Sequence, residues 1–250
     1  MNIRWPFKSH FAVFVSLFFF VILTNQWLSF SKGIQYVQAN DSEKYLALAE
    51  SSPHLPAAAH SHMAERFIIH SGIGLVKFTG VSIATAYTLA AFIVMFLLFF
   101  SLAKLFESLR ISKQNLWIMA GVLVLDPYFL RYYLLAPVMV SDLVFLLGMT
   151  VALLGFTQKK LALTATGVAV AVIGRQTGIL LLPGLTLGIL YGAYKNKKNL
   201  KQAFSHALVL TLVALAVTMF QKWVVRDIAQ PFAASFWVYF IGSIVDLQVS

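Results

Sequence analysis

The chain has 250 residues, of which 60% are hydrophobic and 11% charged, and its formal net charge at pH 7 is +10. Soluble domains carry about a quarter charged residues, so this composition excludes an ordinary soluble domain and predicts an all-α polytopic membrane protein. The basic residues lie in short segments between apolar stretches, without interleaved aromatics. They indicate membrane topology and attraction to anionic lipid, and they exclude a nucleic-acid partner. The chain also has no cysteine, which excludes disulfides and thiolate ligands.

Seven apolar stretches recur along the chain, most of them about 17 to 25 residues long, which is the length that crosses a bilayer. The predicted spans are residues 11–28, 78–103, 116–133, 138–156, 161–174, 177–194 and 204–221, with a partial eighth at 232–250. Residues 1–250 are therefore predicted to form a single transmembrane domain of seven or eight helices.

The stretch 161–194 could form one long helix or two shorter ones. Lys159 and Lys160 precede it, and a cluster of lysines beginning at Lys195 follows it. Because basic residues favour the cytoplasmic side, both ends are predicted to be cytoplasmic and the chain must cross twice, with an outer hairpin at 174–178. The same rule places the N-terminus in the cytoplasm and every acidic residue except Glu107 on or near the outer face.

The first outer loop, residues 31–77, is the long hydrophilic connection of the chain. Loops of this length with a helical pattern of their own are more often functional than bare linkers. Residues 40–50 are predicted to form a short interfacial helix that begins near Asp41, which is either an N-cap or a functional carboxylate. A second helix is predicted at 60–70, where Arg66 would share a face with His62 and His70 and could bind an anion.

Histidines in the same loop raise the question of a metal. His54, His60 and His62 lie close in sequence to Asp41, and imidazole with carboxylate suits Zn²⁺ or Mn²⁺. No recognised ligand spacing supports such a site. Solvated loop histidines are the favoured interpretation, and no metal site is predicted.

Five charged residues are predicted to converge at the outer end of the bundle: Asp41, Asp126, Asp142, Arg175 and Arg226. Asp142 begins an apolar helix, so its carboxylate must face the bundle or a wet cavity, which makes it a functional candidate. The alternative is a buried pair with Arg131 or Arg175 that only locks helices together.

Arg175 lies between two short apolar helices, beside Gly174 and Gly178. A guanidinium group offers a planar fork of donors that fits phosphate oxygens. Snorkelling to lipid headgroups is the alternative for Arg175, and it explains Lys222 and Arg226 equally well.

The order of these features resembles the polyprenyl-phosphate-sugar-dependent glycosyltransferases of the GT-C superfamily, such as the protein mannosyltransferase and aminoarabinose transferase families. The matching residues, over about residues 10 to 195, are Asp41 and Glu43 in the first loop, Arg66 before the second span, Pro137, Ser141 and Asp142 at the fourth, and Gly174, Arg175, Gly178 and Pro183 in the hairpin. Members of the superfamily are usually longer, so the resemblance implies a truncated or minimal member.

The resemblance implies that a sugar moves from a polyprenyl-phosphate donor to a sugar, lipid or protein acceptor on the extracytoplasmic face, with the protein in the inner membrane of a bacterium. Asp41 would be the catalytic carboxylate, and Arg175 and Arg66 would hold the donor phosphate. Asp142 and Glu43 would position the acceptor, with the orientation of an arginine as the alternative role of Asp142. The chemistry is consistent, since an attacking hydroxyl needs a base and a departing phosphate needs cationic partners. The resemblance implies no fixed cofactor and leaves a divalent metal open.

Two other functions fit parts of the pattern. A transporter or flippase for an anionic or lipid-linked substrate would also place basic residues at helix ends, although such proteins commonly show internal repeats and sites near the midplane. A noncatalytic assembly subunit would explain the short chain. The clustering of ionisable residues at the outer boundary favours chemistry on a lipid-linked donor.

Overall fold

A computed structural model describes residues 7–24, 42–56, 59–125, 130–196 and 199–230. The helices are α1 Phe7–Thr24, α2 Ser42–Glu50, α3 Ser61–Ala64, α4 Phe67–Leu75, α5 Ile83–Ser108, α6 Lys113–Leu125, α7 Leu130–Leu135, α8 Val140–Thr157, α9 Leu161–Gly174, α10 Leu181–Lys195 and α11 Leu200–Val225. Short 3₁₀ turns at Val76–Thr79, Pro137–Met139 and Gln176–Leu180 join several of them. A two-residue parallel strand pair links Ala59–His60 (β1) to Ala229–Gln230 (β2).

The all-α class predicted from the sequence is confirmed. Within the described ranges, four helical stretches are long and apolar enough to cross a membrane: Ile83–Ser108, Pro137–Thr157, Gln176–Lys195 and Leu200–Val225. Three shorter apolar helices are Phe11–Leu23, Phe67–Thr79 and Leu161–Gly174. These helices agree with an integral membrane protein. The count of seven or eight spans stays a prediction, and the partial eighth span at 232–250 lies outside the described residues.

The chain reverses direction between α9 and α10, as predicted for the stretch 161–194. Gly178 packs against the backbone of Ala171 and Val172, near the end of α9. A Cβ atom built on Gly188 would lie 2.8 Å from the ring of Phe156, which is near the end of α8 and therefore close to the start of α9. Gly178 has no side chain to hold the returning segment away, and the crossing of the membrane by both helices stays a prediction.

The predicted helix at 60–70 is wrong as a single element. The chain instead forms α3 and α4, separated by a turn at Glu65 and Arg66, where Arg66 has φ −90° and ψ 9°. The turn directs Arg66 toward α2 and α8, and these contacts outweigh the local preference for one helix. The predicted second span likewise starts later, at Ile83, because Ser82 caps α5 by accepting a hydrogen bond from the Thr85 backbone N–H.

Helices α8 and α9 pack closely against each other. Gly148 and Gly155 in α8 face Ala171 and Thr164, and Gly167 in α9 faces Ala152, each so closely that a Cβ atom would overlap neighbouring backbone. Small residues at such crossings allow helices to approach in lipid, where apolar burial gives little drive for association.

The bundle has two chemically different ends. At one end, Ser108 and Thr157 share a hydrogen bond of 2.7 Å, and Lys104 lies in α5 within 3.7 Å of Glu107 near the end of that helix. Lys160 and Lys195 lie at the same end, which we call the basic end. At the opposite end lie α2, α4, the start of α8 and the end of α9, and this is where the arginines at positions 66 and 175 meet.

Candidate functional site

A cluster of polar side chains lies at that second end, between α2, α4, α8 and α9. Arg66 Nη1 donates to the Tyr45 hydroxyl at 2.6 Å and lies 3.4 Å from the Ser141 hydroxyl oxygen and 3.3 Å from Asp142 Oδ1. Arg175 Nη1 lies 3.4 Å from the same Asp142 oxygen. Two guanidinium groups from distant parts of the chain therefore meet at one carboxylate oxygen, and we call Arg66 and Arg175 the arginine pair.

Local structure explains how these groups come together. Pro137 starts a 3₁₀ turn that leads into α8, so Asp142 falls in the first turn of that helix. Gly174 ends α9 against Phe145, with the Ser141 carbonyl oxygen 2.7 Å from where its Cβ would be. Because Gly174 permits this approach, the next residue, Arg175, is placed beside Asp142.

The arginine pair carries more positive charge than its described partners neutralise. Arg66 and Asp142 side chains are only 7% and 8% exposed, whereas that of Arg175 is 40% exposed. Both arginine Nε atoms are buried without a hydrogen-bond partner among the described residues. One carboxylate faces two guanidinium groups, and burying a charge without a partner is costly. The arrangement can therefore accept an anionic group that approaches from the Arg175 side.

Glu65 belongs to the same region, although sequence analysis did not select it. Its half-buried carboxyl group bonds to the Gln176 side chain, and its pKa is raised by burial, an effect that Lys222 and Gln176 partly oppose. Gln221 Nε2 donates to the Glu65 carbonyl oxygen at 2.7 Å. Glu65 thus ties the turn that holds Arg66 to the residue that follows Arg175 and to α11. In the sequence, Glu65 is marked only by its position directly before Arg66.

Tyr45, which holds Arg66, is itself fixed by two aromatic residues. The His70 ring stacks on Tyr45 with centroids 4.3 Å apart and an interplanar angle of 13°. His70 Nδ1 lies 2.8 Å from the Tyr87 hydroxyl, which donates to the Tyr45 carbonyl oxygen at 3.1 Å. Because the Tyr87 hydroxyl has one proton and gives it to that carbonyl, Nδ1 of His70 must carry the other proton. His70 is therefore protonated at Nδ1, and its Nε2 is buried without a hydrogen-bond partner among the described residues.

The buried His70 should make the protein sensitive to acid. Burial, aided by the neighbouring Arg66 charge, lowers the pKa of His70 from 6.5 to about 3. Between pH 6.5 and 3, His70 binds a proton in the unfolded chain but not in the folded chain. The contribution of neutral His70 to folding stability is therefore complete above pH 6.5 and is lost as the pH falls toward 3. The slope is up to about 1.4 kcal/mol per pH unit.

We expect thermal unfolding in detergent to show a larger loss of stability between pH 7 and pH 5 for the wild type than for His70→Asn. Asparagine cannot titrate and can still donate to Tyr87. Equal losses in the two proteins would contradict a buried, neutral His70.

The structure also places the other predicted residues. Glu43 and His54 are exposed, and Arg226 is an exposed residue whose Nε lies 3.5 Å from Asp227, so none of the three joins the cluster. Asp41 and Asp126 lie outside the described residues, as do the side chains of His60, His62 and Arg131. In the described part of the chain, no three His, Asp or Glu side chains are arranged to hold a metal ion.

Comparison with family models, with curated proteins and with solved structures finds no match for this chain.

Proposed function

We propose that the chain is a membrane glycosyltransferase that moves a sugar from a polyprenyl-phosphate donor to an acceptor, which is a sugar, a lipid or a protein. The observation that carries this proposal is the meeting of Arg66 and Arg175 at one oxygen of Asp142. Two cations at one end of an apolar bundle suit a phosphate whose lipid chain stays in the membrane.

In this proposal the arginine pair acts on the leaving group. The acceptor oxygen attacks the anomeric carbon and loses its proton to a carboxylate, and the bond from that carbon to the phosphate oxygen breaks with its electron pair. Negative charge grows on the departing lipid phosphate, where guanidinium N–H groups stabilise it. Arg175 is the more exposed of the two and meets the phosphate first, whereas Arg66 lies behind it.

Asp41 and Asp142 have different roles in this proposal. Asp142 has one oxygen held between two guanidinium groups. Asp142 is therefore assigned the orientation of the arginine pair. The resemblance to the GT-C superfamily assigns the proton to Asp41, with Glu43 near the acceptor.

The proposed topology has seven or eight spans, a cytoplasmic N-terminus and the arginine pair on the extracytoplasmic side of a bacterial inner membrane. The lysines of the basic end support it, since basic residues are enriched on the cytoplasmic side. Donor and acceptor would then meet outside the cytoplasm.

Arg175→Gln should weaken the binding of a short-chain polyprenyl phosphate to the purified protein in nanodiscs by roughly 10- to 100-fold. Such a loss corresponds to one charged hydrogen bond. Arg226→Gln makes the same change at an exposed arginine and should leave binding intact.

In a transfer assay with a radiolabelled donor pool and native acceptors, Asp41→Asn should retain binding and lose transfer.

The proposal fails if wild-type protein binds no polyprenyl phosphate, or if Arg175→Gln and Arg226→Gln bind it equally well. Transfer by Asp41→Asn would remove Asp41 from the catalytic role. Binding of the lipid phosphate by wild type, without transfer to any acceptor, would instead favour a transporter, a flippase or a noncatalytic subunit.

A further inference from the structure

A second group of polar side chains lies beside the arginine pair, formed by Glu65, Gln176 and Gln221, and we call it the amide cluster. Glu65 directly precedes Arg66 and Gln176 directly follows Arg175, so each is one residue from an arginine of the pair. The Glu65 carboxyl group bonds to the Gln176 side chain, and Gln221 Nε2 donates to the Glu65 carbonyl oxygen at 2.7 Å. Three separate chain segments therefore meet here.

Gln221 shows that the amide cluster has unused hydrogen-bonding capacity. The residue is only 1% exposed. Its Nε2 must be the atom that faces the Glu65 carbonyl, because a carbonyl oxygen can only accept, and this fixes Oε1 as the remaining acceptor. Gln221 Oε1 is buried without a hydrogen-bond partner among the described residues. Buried polar atoms are normally satisfied, so each exception calls for an explanation.

The chemistry of the cluster selects among ligands. A hydroxyl group can donate to an amide oxygen or a carboxylate and accept from an amide N–H, so it fits all three side chains. A second anion does not fit, because the Glu65 carboxyl group would repel it whenever ionised. A metal ion does not fit either, since the described residues offer no group of three suitable ligands.

We propose that the amide cluster binds a hydroxyl-bearing group joined to the phosphate that the arginine pair holds, with Gln221 Oε1 accepting a hydrogen bond from one hydroxyl. This inference rests on the proposed function and adds to it the residues that distinguish a sugar ester from a bare lipid phosphate. The Glu65 carboxyl group and the Gln176 side chain are neighbours, and each residue is adjacent in sequence to one arginine of the pair.

The test compares the binding of a short-chain polyprenyl phosphate with that of its hexosyl and pentosyl esters. Wild-type protein should bind at least one ester roughly 10-fold or more tightly than the bare phosphate, since one hydrogen bond to a buried acceptor can supply a factor of this size. Gln176→Met and Gln221→Met should lose this preference, measured within each variant as the ratio of its affinity for the ester to its affinity for the bare phosphate. Gln202→Met, an exposed glutamine at the start of α11, is the matched control and should keep the preference.

The two variants guard against loss of folding. Gln221→Met removes a donor to the Glu65 backbone, and Gln176→Met removes the side-chain bond to Glu65, so the thermal unfolding of both variants must be compared with that of the wild type. Equal binding of ester and bare phosphate by wild type would overturn the inference and leave the arginine site standing. Retained preference in Gln176→Met and folded Gln221→Met would also overturn it. If wild type binds neither ligand, the proposed function fails as well.

Discussion

Asp142→Asn is expected to lower the stability of the protein while raising its affinity for a phosphate group. Removing one partner of a buried ion pair typically costs about 3–5 kcal/mol, because the remaining charge stays buried and uncompensated. Here two guanidinium groups lose the negative charge that they share, because the asparagine side chain is neutral. Because the arginine pair then has an excess of positive charge, Asp142→Asn should bind a phosphate group several-fold more tightly than the wild type does.

The two effects are measured on the same preparation, by thermal unfolding in detergent and by polyprenyl-phosphate binding in nanodiscs. Asp227→Asn is the control, because Asp227 is exposed and pairs only with its neighbour Arg226 at 3.5 Å in the described structure. Tighter binding alongside lower stability would show that the arginine pair is available to a ligand. Lower stability with unchanged or weaker binding would instead show that the pair only locks helices together.

Gly167→Ala should destabilise the fold strongly, although alanine is the better helix former. A Cβ at Gly167 would overlap the Ala152 backbone, with the Ala152 Cα at 2.5 Å, so α8 and α9 must separate. Overpacking of a close interface costs about 1–3 kcal/mol, and more when backbone has to move. Because α8 carries Asp142 and α9 leads to Arg175, the separation should also weaken phosphate binding.

Gly192→Ala makes the same substitution in α10, where a Cβ meets no atom within 4 Å. It should stabilise the protein slightly, by up to about 1 kcal/mol, through helix propensity alone. Opposite signs for the two variants in thermal unfolding are therefore expected. A neutral or stabilising Gly167→Ala would contradict the close approach of α8 and α9.

Hydropathy and charge predict much of this architecture, because helices in lipid must satisfy their own backbone groups and place lysines at their ends. The hairpin after Gly174 and the burial of Asp142 follow from such local signals. The turn at Arg66 does not follow from local signals, because the four-residue spacing of His62, Arg66 and His70 favours one continuous helix. The contacts of Arg66 with Tyr45 and Asp142, which are distant in sequence, favour the turn.

Within the site, the contacts that sequence reasoning missed are the long-range ones. The bond from Gln221 to Glu65 joins residues 156 positions apart, and no local pattern marks either of them. The Tyr45 ring is buried like an apolar side chain, but its hydroxyl group accepts a hydrogen bond from Arg66. Whether a buried tyrosine also forms a hydrogen bond depends on which helices pack beside it, and hydrophobic periodicity does not predict the packing partners of a helix.

The length of α9 has a consequence for the membrane itself. Its 14 residues extend about 21 Å, whereas the hydrocarbon core is about 30 Å thick. In the proposed topology, Lys160 at the cytoplasmic surface would leave Arg175 about 9 Å beneath the opposite boundary of the hydrocarbon. A bilayer accommodates such a mismatch by thinning locally. The surrounding lipid surface would dip toward the arginine pair, so a lipid phosphate could reach both cations while its chain remains among the acyl tails.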